Sequence, residues 1–159
     1  ERSLVMADGQ NNIIETVRAL GLPSDKYAVF GSGLMDVLGL RSSNDIDIVV
    51  TRDLFRELYA DDEWCEMKYP DDCFGLNHVS KNIELFYESK MPLCSQVEIE
   101  EKIRRATTIT GVKFVQISDV LAWKRALRRE KDLQDVALID YYLQNNSILT
   151  ENYGKGSSK

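Results

Sequence analysis

Residues 27–50, YAVFGSGLMDVLGLRSSNDIDIVV, carry the pattern that is most informative about the fold of this chain. It opens with the apolar run Tyr27 to Phe30, which predicts a short strand. Gly31-Ser32-Gly33 then predicts a turn, in which Gly33 would permit unusual backbone dihedrals, and a short helix is predicted at 34–38. Apolar and polar residues alternate from Asp45 to Val50, which predicts a second strand. Two strands around a glycine turn and a short helix indicate a sheet with helices packed on it.

The rest of the chain extends this pattern. Further helices are predicted at 10–20, 52–60, 97–106, 118–127 and about 131–143, and further strands at 64–69, 74–79, 82–87 and 112–117. Thr51 and Ser118 are the predicted N-caps of their helices. The predicted fold class is α/β, in the α+β sense: a mixed β-sheet flanked by helices, with a helical C-terminal part. We expect one domain over 1–150, with a core at about 25–118, C-terminal helices at about 119–143 and a flexible polar tail at 151–159.

Composition excludes several classes of protein. Hydrophobic residues make up 43% of the 159 residues, as in ordinary globular domains, and no apolar run approaches the ~20 residues that a membrane helix needs. The three cysteines, Cys65, Cys73 and Cys94, form no CxxC pair, which does not favour a disulfide framework. With no secretion signal at the start, we expect a cytoplasmic protein that does not bind membranes.

The charge is unevenly distributed along the chain. The formal net charge is -6, yet residues 102–131 hold 9 basic and 2 acidic residues, whereas residues 53–101 hold 13 acidic and 4 basic ones. The basic segment is either a local phosphate-binding surface or a solvated helix face. RNA binding is the least favoured hypothesis, because the chain is acidic overall and lacks interleaved aromatic and basic residues.

Three carboxylates are the candidates for chemistry. Asp45 and Asp47 are two apart on a predicted strand, so they project to one side while Ile46 and Ile48 face the core. Two such close carboxylates repel each other unless a proton or a cation is shared between them, and carboxylate oxygens suit Mg²⁺. Glu84 is embedded in a second apolar strand and would complete a cluster of three acids if the two strands are neighbours. The sequence leaves that adjacency open.

The Gly31-Ser32 turn supplies candidate phosphate contacts. Glycine allows the backbone to approach a phosphate closely, the Ser32 hydroxyl can donate a hydrogen bond, and the following helix offers free N–H groups. Each of these features alone is more often a plain turn or a solvated edge. Their combination is more informative: Phe30-Gly31-Ser32, a spacer of 12 residues, Asp45-Ile46-Asp47-Ile48, and the later Ile83-Glu84-Leu85.

This combination resembles the nucleotidyltransferase superfamily related to DNA polymerase β. Arg41 matches a position that is often basic in that family. The stretches 121–127 (LAWKRAL) and 131–136 (KDLQDV) look like the helical part of its small bacterial and archaeal members, which include aminoglycoside and lincosamide adenylyltransferases. The resemblance covers roughly residues 25–143.

The resemblance implies an activity and a set of site residues. It implies transfer of a nucleoside monophosphate from a triphosphate, with ATP as the expected co-substrate and two Mg²⁺ ions, to a hydroxyl of a small-molecule or protein acceptor. Asp45, Asp47 and Glu84 would be the catalytic residues and metal ligands, and the nucleotide would contact Gly31, Ser32, Arg41, Lys124 and Arg128. The alternative is a non-catalytic or antitoxin-like member of the same fold that binds nucleotide or protein. Nucleic acid is not an expected partner, and the chain would be a monomer or homodimer.

Overall fold

The computed structural model describes residues 8–154, and the side chains of residues 12–146. The helices are α1 (Asp8–Ala19), α2 (Ser32–Val37), α3 (Arg52–Tyr59), α4 (Gln96–Arg104), α5 (Ile117–Leu127) and α6 (Glu130–Gly154). The strands are β1 (Tyr27–Phe30), β2 (Ile46–Val50), β3 (Trp64–Lys68), β4 (Phe74–His78), β5 (Ile83–Phe86), β6 (Ser89–Lys90), β7 (Leu93–Cys94), β8 (Thr107–Ile109) and β9 (Val112–Phe114).

Seven of these strands form one mixed sheet, in the order β3-β4-β5-β2-β1-β9-β8. β2 lies at its centre, antiparallel to β1 and parallel to β5. β6 and β7 form a separate two-stranded hairpin. With six helices beside a mixed sheet and two of them at the C-terminal end, the predicted fold class is confirmed.

The core lies on the apolar side of the central strands. Ile48 and Val50 of β2 are fully buried, as the period-two pattern of that strand predicts, although Val49 between them is fully buried too. All four residues of β1 are buried. The same hydrophobic cluster includes Val120 of α5 and Ile139 of α6. The C-terminal helices are therefore packed into the core of the sheet.

Two predicted helix starts have different outcomes. The predicted cap Thr51 is confirmed, because its side chain accepts a hydrogen bond from the Leu54 N–H at 3.4 Å. The predicted cap Ser118 is wrong: α5 begins one residue earlier, at Ile117, with Gln116 at the N-cap position and no side-chain cap bond.

The C-terminal helix is longer than predicted. α6 continues to Gly154, so the predicted end at 143 is wrong and the first four residues of the predicted tail 151–159 are helical. Residues 155–159 of that tail lie outside the described part of the chain. Within residues 8–154, no helix has the length and hydropathy that are needed to span a membrane.

Candidate active site

The structure brings Asp47 and Glu84 side by side. β2 and β5 are parallel neighbours, and their register pairs Asp47 directly with Glu84. The residues on either side, Ile46 and Ile48 on β2 and Ile83 and Leu85 on β5, are buried on the opposite face. The alternation in both strands thus places the two carboxylates together on the open side of the sheet.

The environment of Asp47 disfavours its charged form. Burial, followed by the charges of Glu84 and Asp45, raises the pKa of Asp47 to about 6. Beside it, the Tyr69 hydroxyl donates a hydrogen bond to Glu84 Oε2 at 3.2 Å. Burial and the Glu84 charge raise the pKa of Tyr69, so the phenol keeps its proton and remains a donor.

Asp45 has a different setting from the other two carboxylates. It directly precedes β2, is exposed, and lines a second cavity of about 310 Å³ that it shares with Glu84, Asn77 and His78. Over residues 12–146, no group of three or more His, Cys, Asp or Glu side chains is placed to hold a metal ion. The structure therefore pairs two of the three predicted carboxylates and places the third at the neighbouring cavity.

Asp47 and Glu84 open into a larger cavity of about 480 Å³. Its apolar wall is formed by Phe30, Phe86 and Trp123. The Trp123 ring packs edge-on against Phe30 with a centroid distance of 4.9 Å and lies 6.0 Å from Phe86. A cavity with one aromatic wall and a few convergent polar groups is typical of a small-molecule site.

The glycine turn approaches the carboxylates from β1. Gly31 has φ 67° and ψ −130°, a conformation that favours glycine, and a Cβ there would lie 3.8 Å from Asp47 Oδ2. The unusual dihedral predicted for Gly33 is wrong, since its φ is not positive. Gly33 instead lets α2 pack against β1, because a Cβ at that position would lie 2.8 Å from Val29 Cγ1.

Three of the five predicted nucleotide contacts meet in one hydrogen-bonded ion network. Arg41 donates from Nη2 to Ser32 Oγ at 3.2 Å and also binds Asp135 through two nitrogens, at 2.6 and 2.8 Å. Lys124 is buried, and its Nζ donates to Asp135 Oδ2 at 2.7 Å. The structure therefore joins Ser32, Arg41 and Lys124, three residues predicted from separate parts of the sequence.

Arg129, and not the predicted Arg128, lines the large cavity. Arg128 ends α5 in a left-handed conformation with φ 56°, and its Nε donates to the Arg125 carbonyl at 3.4 Å. Arg129 binds the fully buried Asp132, at 2.6 Å from Nε. Sequence analysis also missed Tyr69, which follows β3, and no motif in the sequence indicates either residue.

Many cations of the basic segment 102–131 lie against carboxylates. Arg105 binds Asp119 at 3.1 Å, and Arg125 binds Asp140 at 3.0 Å. Arg104 also contacts Glu101. These pairs neutralise much of the local charge, which agrees with a solvated helix face more than with a surface for a polyanion.

No family model, curated protein or solved structure matches the chain.

Proposed function

We propose that the protein is a Mg²⁺-dependent nucleotidyltransferase that moves a nucleoside monophosphate from a triphosphate, with ATP as the expected donor, to a hydroxyl of a small-molecule or protein acceptor. The observation that carries the proposal is the pairing of Asp47 with Glu84 at the wall of the 480 Å³ cavity, directly beside the Gly31-Ser32 turn. Nucleotidyl transfer needs these elements together: paired acids, a close phosphate approach and a cavity for the substrates.

The donor set is suited to Mg²⁺. Hard cations prefer carboxylate oxygens, and Mg²⁺ is commonly held by one or two carboxylates together with substrate phosphates and water. Asp47 and Glu84 would hold the metal, with Asp45 contributing from the adjacent cavity. Bound Mg²⁺ would supply positive charge that neutralises the phosphates during the reaction. The raised pKa of Asp47 supports this assignment, because a shared cation would relieve the repulsion between the acids.

The other side chains have matching roles in this proposal. Ser32, Arg41 and Lys124 would bind the triphosphate, and the aromatic wall at Trp123 would pack against a flat ring of a bound substrate. The acceptor oxygen would form a bond to the α-phosphorus while the bond from that phosphorus to the bridging oxygen breaks, releasing pyrophosphate. Glu84, oriented by Tyr69, would accept the hydroxyl proton.

A cytoplasmic location belongs to the same proposal. Cys65, Cys73 and Cys94 are all free thiols in the structure, as suits a reducing compartment where triphosphates are abundant. A monomer or homodimer would present the same site, since every residue invoked comes from one chain.

The test is a thermal-shift and calorimetric titration with ATP, GTP, CTP and UTP, each with Mg²⁺ and with EDTA. We expect a Mg²⁺-dependent rise in melting temperature for wild type, because ligand that binds only the folded state stabilises it. Asp47→Asn should lose that Mg²⁺-dependent affinity while remaining folded, and Asp45→Asn should weaken it. Asp140→Asn, which removes an acid of α6 outside the site, should behave as wild type.

The nucleotide that binds would then be supplied with a labelled α-phosphate in an acceptor screen. Transfer of the label with release of pyrophosphate is the expected result. Absence of a shift with every triphosphate would contradict the enzyme proposal and favour a non-catalytic, partner-binding protein of antitoxin-like type.

A further inference from the structure

We infer that Asp135 of α6 is a positioning residue, which holds Arg41 and Lys124 in place for the phosphates without touching the nucleotide itself. The inference rests on the proposed function, because it concerns the phosphate side of that site. Asp135 would give α6 a role in the site, in addition to those of the carboxylates on the strands and of the Gly31-Ser32 turn.

The first observation is the number of charged bonds on one carboxylate. Asp135 Oδ1 accepts from Arg41 Nε at 2.6 Å, and Oδ2 accepts from Arg41 Nη2 at 2.8 Å and Lys124 Nζ at 2.7 Å. The residue is 2% exposed, so water competes little with these bonds. Bonds between ionised groups are short and strong, and a two-pronged arginine–carboxylate pair also fixes orientation.

The second observation is where the bonded residues come from. Arg41 lies in the loop between α2 and β2, Lys124 on α5 and Asp135 on α6. Arg41 uses Nη2 for Asp135 and also for Ser32 Oγ, at 3.2 Å. One carboxylate on α6 therefore connects the C-terminal helices to the turn that follows β1, next to Asp47.

The third observation is a neighbouring acid with a parallel role. Asp132, fully buried one turn earlier on α6, binds Arg129 at 2.6 Å and lies 3.9 Å from Lys124 Nζ. Two buried acids thus hold three cations, and one of these cations, Arg129, lines the 480 Å³ cavity. The acids keep the like charges of Arg41, Lys124 and Arg129 close together beside the site.

The direction in which Asp135→Asn changes the affinity for polyphosphate separates a positioning role from an effect of charge alone. Removing a negative charge beside a phosphate site should strengthen polyphosphate binding if charge alone matters. If Asp135 positions the cations, Asp135→Asn should weaken it, because Arg41 and Lys124 would repel each other and lose their fixed geometry. We expect at least about a tenfold weakening in Kd for Mg-ATP and for inorganic tripolyphosphate.

The experiment compares calorimetric Kd values for wild type, Asp135→Asn, Arg41→Gln, the double variant and Asp140→Asn. Asp140 is the matched control, since it too binds a cation of α5 from α6, in its case Arg125, but lies nearer the surface. Asp135→Asn and Arg41→Gln should weaken binding to a similar degree. The double variant should have a Kd no higher than that of the more weakly binding single variant, because both changes disrupt the same Asp135–Arg41 interaction. Asp135→Glu should recover part of the affinity.

The outcomes are distinguishable. Loss of a buried acid can prevent folding, and in that case Asp135→Glu decides the matter. This variant keeps the charge but moves the carboxylate, so a positioning role requires it to bind Mg-ATP more weakly than wild type. A lower melting temperature with an unchanged or tighter Kd in folded Asp135→Asn would overturn the inference alone. A wild type that binds neither Mg-ATP nor tripolyphosphate would overturn the proposed function, and this inference with it.

Discussion

Asp47 shows at the scale of one residue how folding creates a reactive group. The unfolded chain would leave this carboxyl in water with an ordinary pKa near 3.8, whereas burial and the adjacent Glu84 raise the folded value to about 6. Between about pH 4 and about pH 6 the folded protein therefore holds a proton at this carboxyl that the unfolded chain has lost. The burial of Asp47, and after it the charge of Glu84, are the physical reasons why a cation at this position would stabilise the charged carboxylate.

The pH dependence of stability follows from this shift. The folded pKa lies above the unfolded pKa, so below pH ~4 both states bind the proton and the charge costs nothing. Between pH ~4 and ~6 only the folded state keeps it, and stability falls as the pH rises. Above pH ~6 the charged Asp47 lowers the free energy of unfolding by the full amount, which is about 2 to 3 kcal/mol for a shift of this size.

We predict that Asp47→Asn, in metal-free buffer, matches wild type near pH 4 and becomes more stable by up to about 3 kcal/mol at pH 7.5. Urea unfolding at both pH values measures the difference, and Asp140→Asn is the exposed control. A difference between wild type and Asp47→Asn that does not change with pH would contradict the raised pKa.

The sequence predicts which residues carry charge at the site but not all of their partners. Asp47 and Glu84 could be predicted to face the same side of a sheet, because alternation is local. Their pairing required β5 to lie next to β2, which depends on the whole topology. Arg128 is the predicted contact, whereas the structure places Arg129 at the wall of the 480 Å³ cavity. Arg128 adopts a left-handed conformation that nothing in the sequence indicates.

At the scale of elements, strong local patterns were predicted and weak ones were not. β1 has the predicted bounds, Tyr27–Phe30, because four apolar residues stand between polar and glycine positions. The two-residue strands β6 and β7 and the three-residue β8 are too short to show periodicity, so they were missed. The helix ends are the least determined by local sequence, as α6 shows.

Helix starts give a direct test of local chemistry. Ser95 caps α4 in a reciprocal arrangement, in which its Oγ accepts from the Glu98 N–H at 3.2 Å and Glu98 Oε2 accepts from the Ser95 N–H at 2.8 Å. Ser118, by contrast, lies within the first turn of α5 and is not its cap. Both serines are exposed, and only Ser95 is an N-cap.

We predict that Ser95→Ala lowers the free energy of unfolding by about 1 kcal/mol, because the Glu98 N–H at the start of α4 loses its partner, the Ser95 hydroxyl oxygen. Ser118→Ala should change it by less than about 0.5 kcal/mol. Chemical denaturation of the two variants beside wild type gives both numbers. An equal loss of unfolding free energy in the two variants would show that the reciprocal Ser95–Glu98 cap of α4 contributes no more than an ordinary surface hydroxyl.

At the scale of the whole molecule, the C-terminal helices and the sheet are joined in two ways. Val120, Leu121 and Ile139 belong to the same hydrophobic cluster as the central strands. The buried network around Asp135 also crosses from α6 to the turn after β1. Separating the helices from the sheet would expose that apolar surface and leave buried charges without partners, so partial unfolding should be costly.

We therefore predict that the sheet and the C-terminal helices unfold in one transition. Trp64 on β3, at one edge of the sheet, and Trp123 on α5 report on the two parts. In Trp123→Phe and Trp64→Phe, each of which keeps one tryptophan, the fluorescence transition in urea should coincide with the far-ultraviolet circular dichroism transition of the same variant. If Trp123 reported an earlier transition than circular dichroism while Trp64 did not, the helices would be a separate unit. Lys124 on α5, the proposed phosphate contact, and its partner Asp135 on α6 could then separate from Asp47 and Glu84 without unfolding of the sheet.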